Sequence, residues 1–211
     1  MSRRIVVVTA GLTVPSSTRL LADQLATASV AALRAAGEDA QLEVVELRDL
    51  AHPIADNLLT GFPSGALADA VAAVAAADAV IAVTPVFSAS YSGLFKSFFD
   101  VLDVGALDGT PVLLAATAGT ARHSLVLEHA LRPLFAYLRA VVVPTGVLAA
   151  TDDFAGTDLD ARILRAAREL VLLVEGATGA AAPRPVKRRT VDDELADPTP
   201  FAELLARAGR S

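Results

Sequence analysis

Three short stretches of this chain carry most of the residues that could do chemistry. The first is Ala10-Gly11-Leu12-Thr13-Val14-Pro15-Ser16-Ser17-Thr18-Arg19. Ser16, Ser17 and Thr18 place hydroxyl donors just where a run of helix-forming residues begins, and the free amides and positive dipole end of a helix start favour an anion. Arg19 either adds charge to that cradle or faces solvent. The simplest structural role for Ser16 or Ser17 is N-capping. The second stretch runs from Val83-Thr84-Pro85-Val86-Phe87-Ser88 to Ala89-Ser90-Tyr91-Ser92-Gly93, followed by Leu94-Phe95-Lys96. Its small, hydroxylated and aromatic residues can present backbone amides and a flat apolar wall to a planar ligand. The third, Thr117-Ala118-Gly119-Thr120-Ala121-Arg122-His123, is again small and glycine-containing, with amides able to bond the polar edge of a flat ring.

Other chemistries find little support. With no cysteine there is no thiolate nucleophile or thiolate metal site, and the three histidines, His52, His123 and His129, accompany no carboxylate cluster, so no metal site is expected. Neither G-x-x-x-x-G-K-[ST] nor G-x-G-x-x-G occurs, which excludes a nucleoside-triphosphate loop and a dinucleotide fingerprint of the usual kind. A net charge of −6 argues against nucleic acid as a partner. No apolar run reaches the roughly 20 residues of a membrane span. The short apolar stretch behind Met1-Ser2-Arg3-Arg4 does not make a secretory signal, so a cytoplasmic protein is expected.

The elements that must position the three loops are legible from apolar runs. Arg4-Ile5-Val6-Val7-Val8-Thr9 reads as a buried first strand and residues 20–36 as a helix ended by Gly37. A second strand spans 41–47. Residues 48–64, with two prolines and Gly61, read as a long loop, and 66–77 as an Ala-rich helix. The third strand covers 78–84 and is expected to stop at Pro85. The helix opening at Leu94, with Phe95, Phe98, Phe99 and Leu102, is either an interface or core. A fourth strand comes at 112–117, then a helix at 122–138, a fifth strand at 141–148, a polar connection at 152–157 and a last helix at 158–175. Strands alternating with helices predict an α/β fold, a five-stranded all-parallel sheet covered on both faces, in the common order 2-1-3-4-5. Residues 1–178 form the domain. Residues 179–211 form an extension: an Ala/Gly/Pro linker, the basic Lys187-Arg188-Arg189, and a short helix at 201–207, either solvated or packed on another subunit.

In such a sheet the ligand crevice lies beyond the carboxyl ends of strands 1 and 3, where the order reverses. The first two loops leave those two strands. A phosphate site, a ring face and a ring edge together describe a mononucleotide with a large planar base, and FMN fits.

The chain resembles the flavodoxin-like NAD(P)H-dependent FMN reductases, nearest the branch that serves two-component flavin monooxygenases of the alkanesulfonate type. The resemblance covers residues 4–175. It rests chiefly on Thr84-Pro85-Val86-Phe87-Ser88-Ala89-Ser90-Tyr91-Ser92-Gly93 with Lys96, close to a T-P-V-Y-x-A-S-Y-S-G of relatives, and on Leu131-Arg132-Pro133-Leu134. It implies a doubly wound flavodoxin-like fold with FMN phosphate at Ser16, Ser17 and Thr18, to which the reading of the loop itself adds Gly11 and Arg19. The ring is implied at Pro85, Val86, Phe87 and Ser88, and its edge at Ala118, Gly119 and Thr120; the residues themselves add Tyr91 to the ring wall and His123 to the edge, although His123 serves equally well as a helix-start residue. In the phosphate loop this chain has Gly11-Leu12 where many relatives have Gly-Ser, and no arginine between Gly11 and Ser16, and it has Phe87 in place of a commoner tyrosine.

The implied reaction is hydride transfer from NADPH or NADH to FMN, with reduced flavin passed to a partner monooxygenase. The cofactors carry that chemistry, so no catalytic acid or base is nominated; the protein's task is to hold donor and acceptor about 3–3.5 Å apart. Pro133 inside the 122–138 helix robs the His129 carbonyl of its partner, so a kink or a π-bulge is expected there. In this branch an aromatic residue matching His129 sits in such a bulge at a subunit interface, which implies a homodimer or homotetramer. Two alternatives stay open: an enzyme that keeps FMN and reduces a quinone, azo dye or chromate, and a flavodoxin-type electron carrier, which would carry a T-x-T-G-x-T that is missing here.

Overall fold

The computed structural model describes residues 2–179 and residue 200. In chain order the elements are β1 (Ser2–Thr9), α1 (Ser17–Ala35), β2 (Asp39–Glu46), α2 (Ala51–Thr60), α3 (Ala66–Ala75), β3 (Ala79–Phe87), β4 (Ser90–Tyr91) and α4 (Gly93–Asp100). They continue with β5 (Pro111–Ala118), α5 (Arg132–Tyr137), β6 (Val141–Val142), β7 (Val147–Ala150) and α6 (Asp158–Gly179). The sheet runs β2-β1-β3-β5-β6, with β7 also on β5 and β4 on β3. The expected 2-1-3-4-5 order is therefore present, but the sheet has seven strands rather than five. It is not wholly parallel, because β4 runs antiparallel to β3.

Alternation along the strands divides the core. Ile5 and Val7 of β1, with Leu113 and Ala115 of β5, pack under α1 and α6. Val6 and Val8, with Val112 and Leu114, pack against α2, α3, α4 and α5. Burial on both faces is why these strands read as continuous apolar runs. The second face is aromatic: Phe99 stacks 4.7 Å from Phe95 and 4.8 Å from Phe135, centroid to centroid. Phe95, Phe98 and Phe99 are all buried, so the α4 apolar face is core.

Four expectations need correction. β3 does not stop at Thr84 but continues through Pro85 to Phe87. Val83 uses its carbonyl to bind Ala10 N–H at 3.0 Å, so by alternation Pro85 also faces the β1 side, where β1 has already ended and no ladder bond needs its missing N–H. The fifth strand is split into β6 and β7 because Pro144 interrupts the ladder. Glu169 of α6 accepts from the freed Thr145 N–H at 2.6 Å and its hydroxyl at 2.7 Å. Residues 48–64 are mostly helical rather than a loop: a 3-10 turn, Leu47–Leu50, leads into α2, with Pro53 in its first turn, where a missing N–H costs nothing, and only 61–64 stay irregular. Gly61 ends that helix at φ 80°. Finally, the expected helix at 122–138 is a short 3-10 turn, Ala121–His123, then a π-helical turn, Leu127–Leu131, then α5. The π-turn is the defect expected beside Pro133: Arg132 N–H bonds Leu127 O, five residues back. The expected short helix at 201–207 lies outside the described residues, as does nearly all of the extension.

Candidate functional site

β1, β3 and β5 are neighbours in the sheet, so the three loops that leave their carboxyl ends stand side by side. The first loop turns tightly. A Cβ on Gly11 would lie 2.2 Å from Ser16 Oγ, so only glycine lets the loop close on the helix start. Ser16 is the N-cap of α1, its Oγ accepting the Arg19 N–H at 3.2 Å. The N–H groups of Ser17 and Thr18, at the first two helical positions, have no intrahelical acceptor and stay available to an anion. Ser17 is exposed; Leu12, Thr13, Val14 and Pro15 are exposed around it.

The second loop is a hairpin. Val86 pairs with Tyr91 and Phe87 with Ser90. The two turn residues, Ser88 and Ala89, have φ of 49° and 65°. Two positive φ values in a two-residue loop make the I′-type turn that suits strand twist, at a cost for residues with a Cβ. Beneath it, Thr84 Oγ1 donates to Pro85 O at 2.9 Å and accepts the Ser92 N–H at 3.1 Å. This leaves Phe87 at the rim, 48% exposed, as a free aromatic face. Tyr91 instead packs on Phe95, 6.0 Å between centroids, and belongs with the core wall. In the third loop Gly119 and Thr120 are exposed and open, with nothing within 4 Å of a Cβ built on Gly119. His123 ends the 3-10 turn, partly exposed.

Buried hydroxyls form the floor. Thr18 Oγ1 and Thr117 Oγ1 are 2.7 Å apart, tying the start of α1 to the end of β5. Thr9, at the end of β1, is fully buried and its Oγ1 has no hydrogen-bond partner. Of the few buried polar residues, Thr9, Thr18, Thr84, Ser92 and Thr117 all lie under the loops. Sequence reasoning treats Thr9 only as a strand end and Thr84 and Thr117 only as the first residues of their loops, and misses this floor. Their signal is that each closes an apolar run with a hydroxyl. Thr18, expected from sequence to offer its hydroxyl to the anion, is buried, with that hydroxyl 2.7 Å from Thr117 Oγ1.

Arg19 is turned away from the loop. Its Nε donates to Asp23 Oδ1 at 2.8 Å, and its Nη1 donates to Glu46 Oε1 at the end of β2. The hydrogen bond to Asp23, with the charges of Asp23 and Glu46, raises the pKa of the guanidinium. The residues present suit a flavin mononucleotide: unpaired amides at a helix start, an exposed aromatic face beside them, and open glycine-loop amides on the far strand. Two concavities of about 540 and 550 Å³ lie elsewhere, in the furrow between α1 and α6. Asp23, Gln24, Thr27 and Asp160 line half of the first, the second is walled largely by alanine and leucine, and neither has an aromatic face.

Among the described residues, no helix is long and apolar enough to cross a membrane, and no group of three metal-ligating side chains occurs.

Comparison with known proteins agrees with this geometry. The family model described as NADPH-dependent FMN reductase matches residues 3–155. An FMN reductase (NADPH) of Pseudomonas aeruginosa is 42% identical over 138 residues, 63% of this chain and 74% of that protein. The NADH-dependent FMN reductase SfnF of Pseudomonas putida is 38% identical over 151 residues, 72% of this chain and 79% of that protein. Among solved structures, an oxidoreductase from Corynebacterium diphtheriae has a TM-score of 0.81 at 49% identity, covering 83% of this chain and 98% of that one. The apo form of the NADH:FMN oxidoreductase EmoB has a TM-score of 0.71 at 29% identity, covering 86% and 92%. With the matched region spanning all three loops and the strands that carry them, the chain belongs to the NADPH-dependent FMN reductase family.

Proposed function

We propose that this protein takes up FMN across the three loops, reduces it with NADPH or NADH, and releases it as reduced flavin to a separate monooxygenase. The observation that carries the reading is the side-by-side placement of an amide-rich helix start, the Phe87 rim and the open Gly119 loop on three adjacent strands. FMN, when bound, supplies the acceptor for a hydride from the reduced nicotinamide, a solvent proton completing the reduced product. The chain's own work is binding and orientation. The N–H groups of Ser17 and Thr18 hold the phosphate, with Gly11 and Ser16 shaping the turn. Pro85, Val86, Phe87 and Ser88 give the ring its wall, while Ala118, Gly119 and Thr120 meet its polar edge. The Thr18–Thr117 bond keeps phosphate and edge contacts at fixed separation.

The π-helical turn supports a subunit contact. His129 sits exposed in it, and Arg132 fixes its end by donating to Val143 O at 3.0 Å and to Pro144 O. A homodimer or homotetramer formed through this turn is the reading it supports. The test is anaerobic reduction of FMN by NADPH and by NADH, followed by gel filtration. Free reduced flavin running behind the protein supports the proposal. A tightly held yellow cofactor that turns over quinones instead points to the flavin-retaining alternative, and flavin binding without nicotinamide oxidation points to an electron carrier.

A further inference from the structure

We propose that Glu46, helped by Asp23, is a latch that holds Arg19 off the phosphate cradle and thereby sets FMN affinity low enough for the flavin to leave. The inference rests on the flavin-binding reading above. Arg19 is the third residue of α1, and side chains on a helix lean toward its N-terminus, which is where the phosphate would lie. An arginine at that place is well suited to grip a phosphate, since its planar fork matches two phosphate oxygens. Here the fork is already taken. Asp23, one turn further along α1, draws Nε back along the helix at 2.8 Å, and Glu46, projecting from the end of the neighbouring β2, takes Nη1.

Glu46 is the hub of a wider cluster. Its second oxygen lies 3.4 Å from Arg48 Nε, which is also 3.3 Å from Asp49. Two guanidinium groups thus share three carboxylates, and the cluster is net negative. An incoming phosphate therefore meets helix amides and hydroxyls but no uncommitted cation from this group, and the nearest cationic side chain on α1 is already neutralised. All five side chains remain partly exposed, so the latch is of moderate strength and is weakened by salt. Glu46 acts through Arg19 and is a positioning residue.

The experiment is a fluorescence titration of the full chain with FMN and, separately, with riboflavin, which lacks the phosphate. Glu46→Gln is expected to tighten FMN binding about fivefold, the scale of one partly exposed charge contact. It should slow FMN release and leave the riboflavin Kd unchanged. Asp23→Asn, a second variant on an exposed face, should show the same signature at about twofold. Adding Arg19→Ala to Glu46→Gln should abolish the gain, and raising the ionic strength should shrink it. A Glu46→Gln protein whose FMN Kd is unchanged or weaker overturns the latch, as does one in which riboflavin affinity rises in step with FMN. A gain that survives Arg19→Ala overturns it too. If the unmodified chain binds neither flavin, the functional reading itself falls, and the latch with it.

Discussion

α1 and α4 start from the same local device. Ser16 accepts the N–H of Arg19 and Ser92 that of Phe95, both at 3.2 Å and both three residues on. Each helix comes after a strand at the same edge of the sheet. Their surroundings differ. Ser92 is buried, its own N–H is taken by Thr84, and the residues above it are closed by the β3–β4 hairpin. Ser16 is only half-buried, and the residues before it stand in the open. A serine cap therefore does not make an anion site. An anion site would need a cap whose neighbouring amides are left uncovered, and of these two only the one after β1 has exposed residues before it. At α4 the same chemistry is a structural joint that supports the hairpin carrying Phe87.

The largest effect should come from closing the open member of the pair. Gly11→Ala pushes a methyl into Ser16 Oγ, displacing the cap, and should weaken FMN binding at least tenfold, on the order of 1.4 kcal/mol, as read by fluorescence titration. Thr18→Val removes one partner of a buried hydroxyl pair and orphans Thr117, at a cost of about 1–3 kcal/mol in chemical denaturation. The double variant Thr18→Val/Thr117→Val should recover part of it, since no buried hydroxyl of that pair is then left unpaired. Ser92→Ala should lower stability by about 1–2 kcal/mol, because it strands the Phe95 N–H inside the core. Ser16→Ala should cost less stability, about 0.5–1 kcal/mol, but should lower FMN affinity, whereas a Ser92→Ala loss should appear first in the melting temperature. Equal stability losses at the two serines would erase the distinction between site and joint.

The smallest expected effect lies outside both helix starts and serves as a reference. Asp153 accepts the Ala150 N–H at 2.9 Å and meets Arg162 at 3.3 Å, and chiefly the first of these lowers its pKa below the ordinary 3.8. A carboxylate with a depressed native pKa stabilises the fold above its unfolded value. That contribution is lost as pH falls below about 3.8 and through the native value. Asp153→Ala should therefore cost at most about 1 kcal/mol at neutral pH, and the difference from the parent should vanish in acid unfolding curves.

The central strands and the three loops are legible in the sequence because strands buried on both faces are written as unbroken apolar runs, and the small or hydroxylated residues after each run mark its carboxyl-end loop. The π-turn is legible from one residue, Pro133, since a missing N–H inside a helix has few remedies. Pro53 and Pro85 mislead for the same reason in reverse: each sits where no N–H is needed, in the first turn of α2 and beyond the end of β1, and sequence alone does not show that. The hairpin at Ser88 and Ala89 lacks the Asn-Gly or Asp-Gly that would mark its turn. Long-range pairs are invisible altogether. Thr18 meets Thr117, and Arg19 meets Glu46, only because α1 lies across the sheet, and no local pattern encodes those meetings.

The most direct test of the account is a crystal structure of the protein with FMN. It should place the phosphate on the N–H groups of Ser17 and Thr18, the ring against Phe87 and the ring's polar edge at Gly119. FMN seated in the furrow between α1 and α6, or with its phosphate away from the start of α1, would contradict the claim that the uncovered helix start is what makes this fold a flavin site.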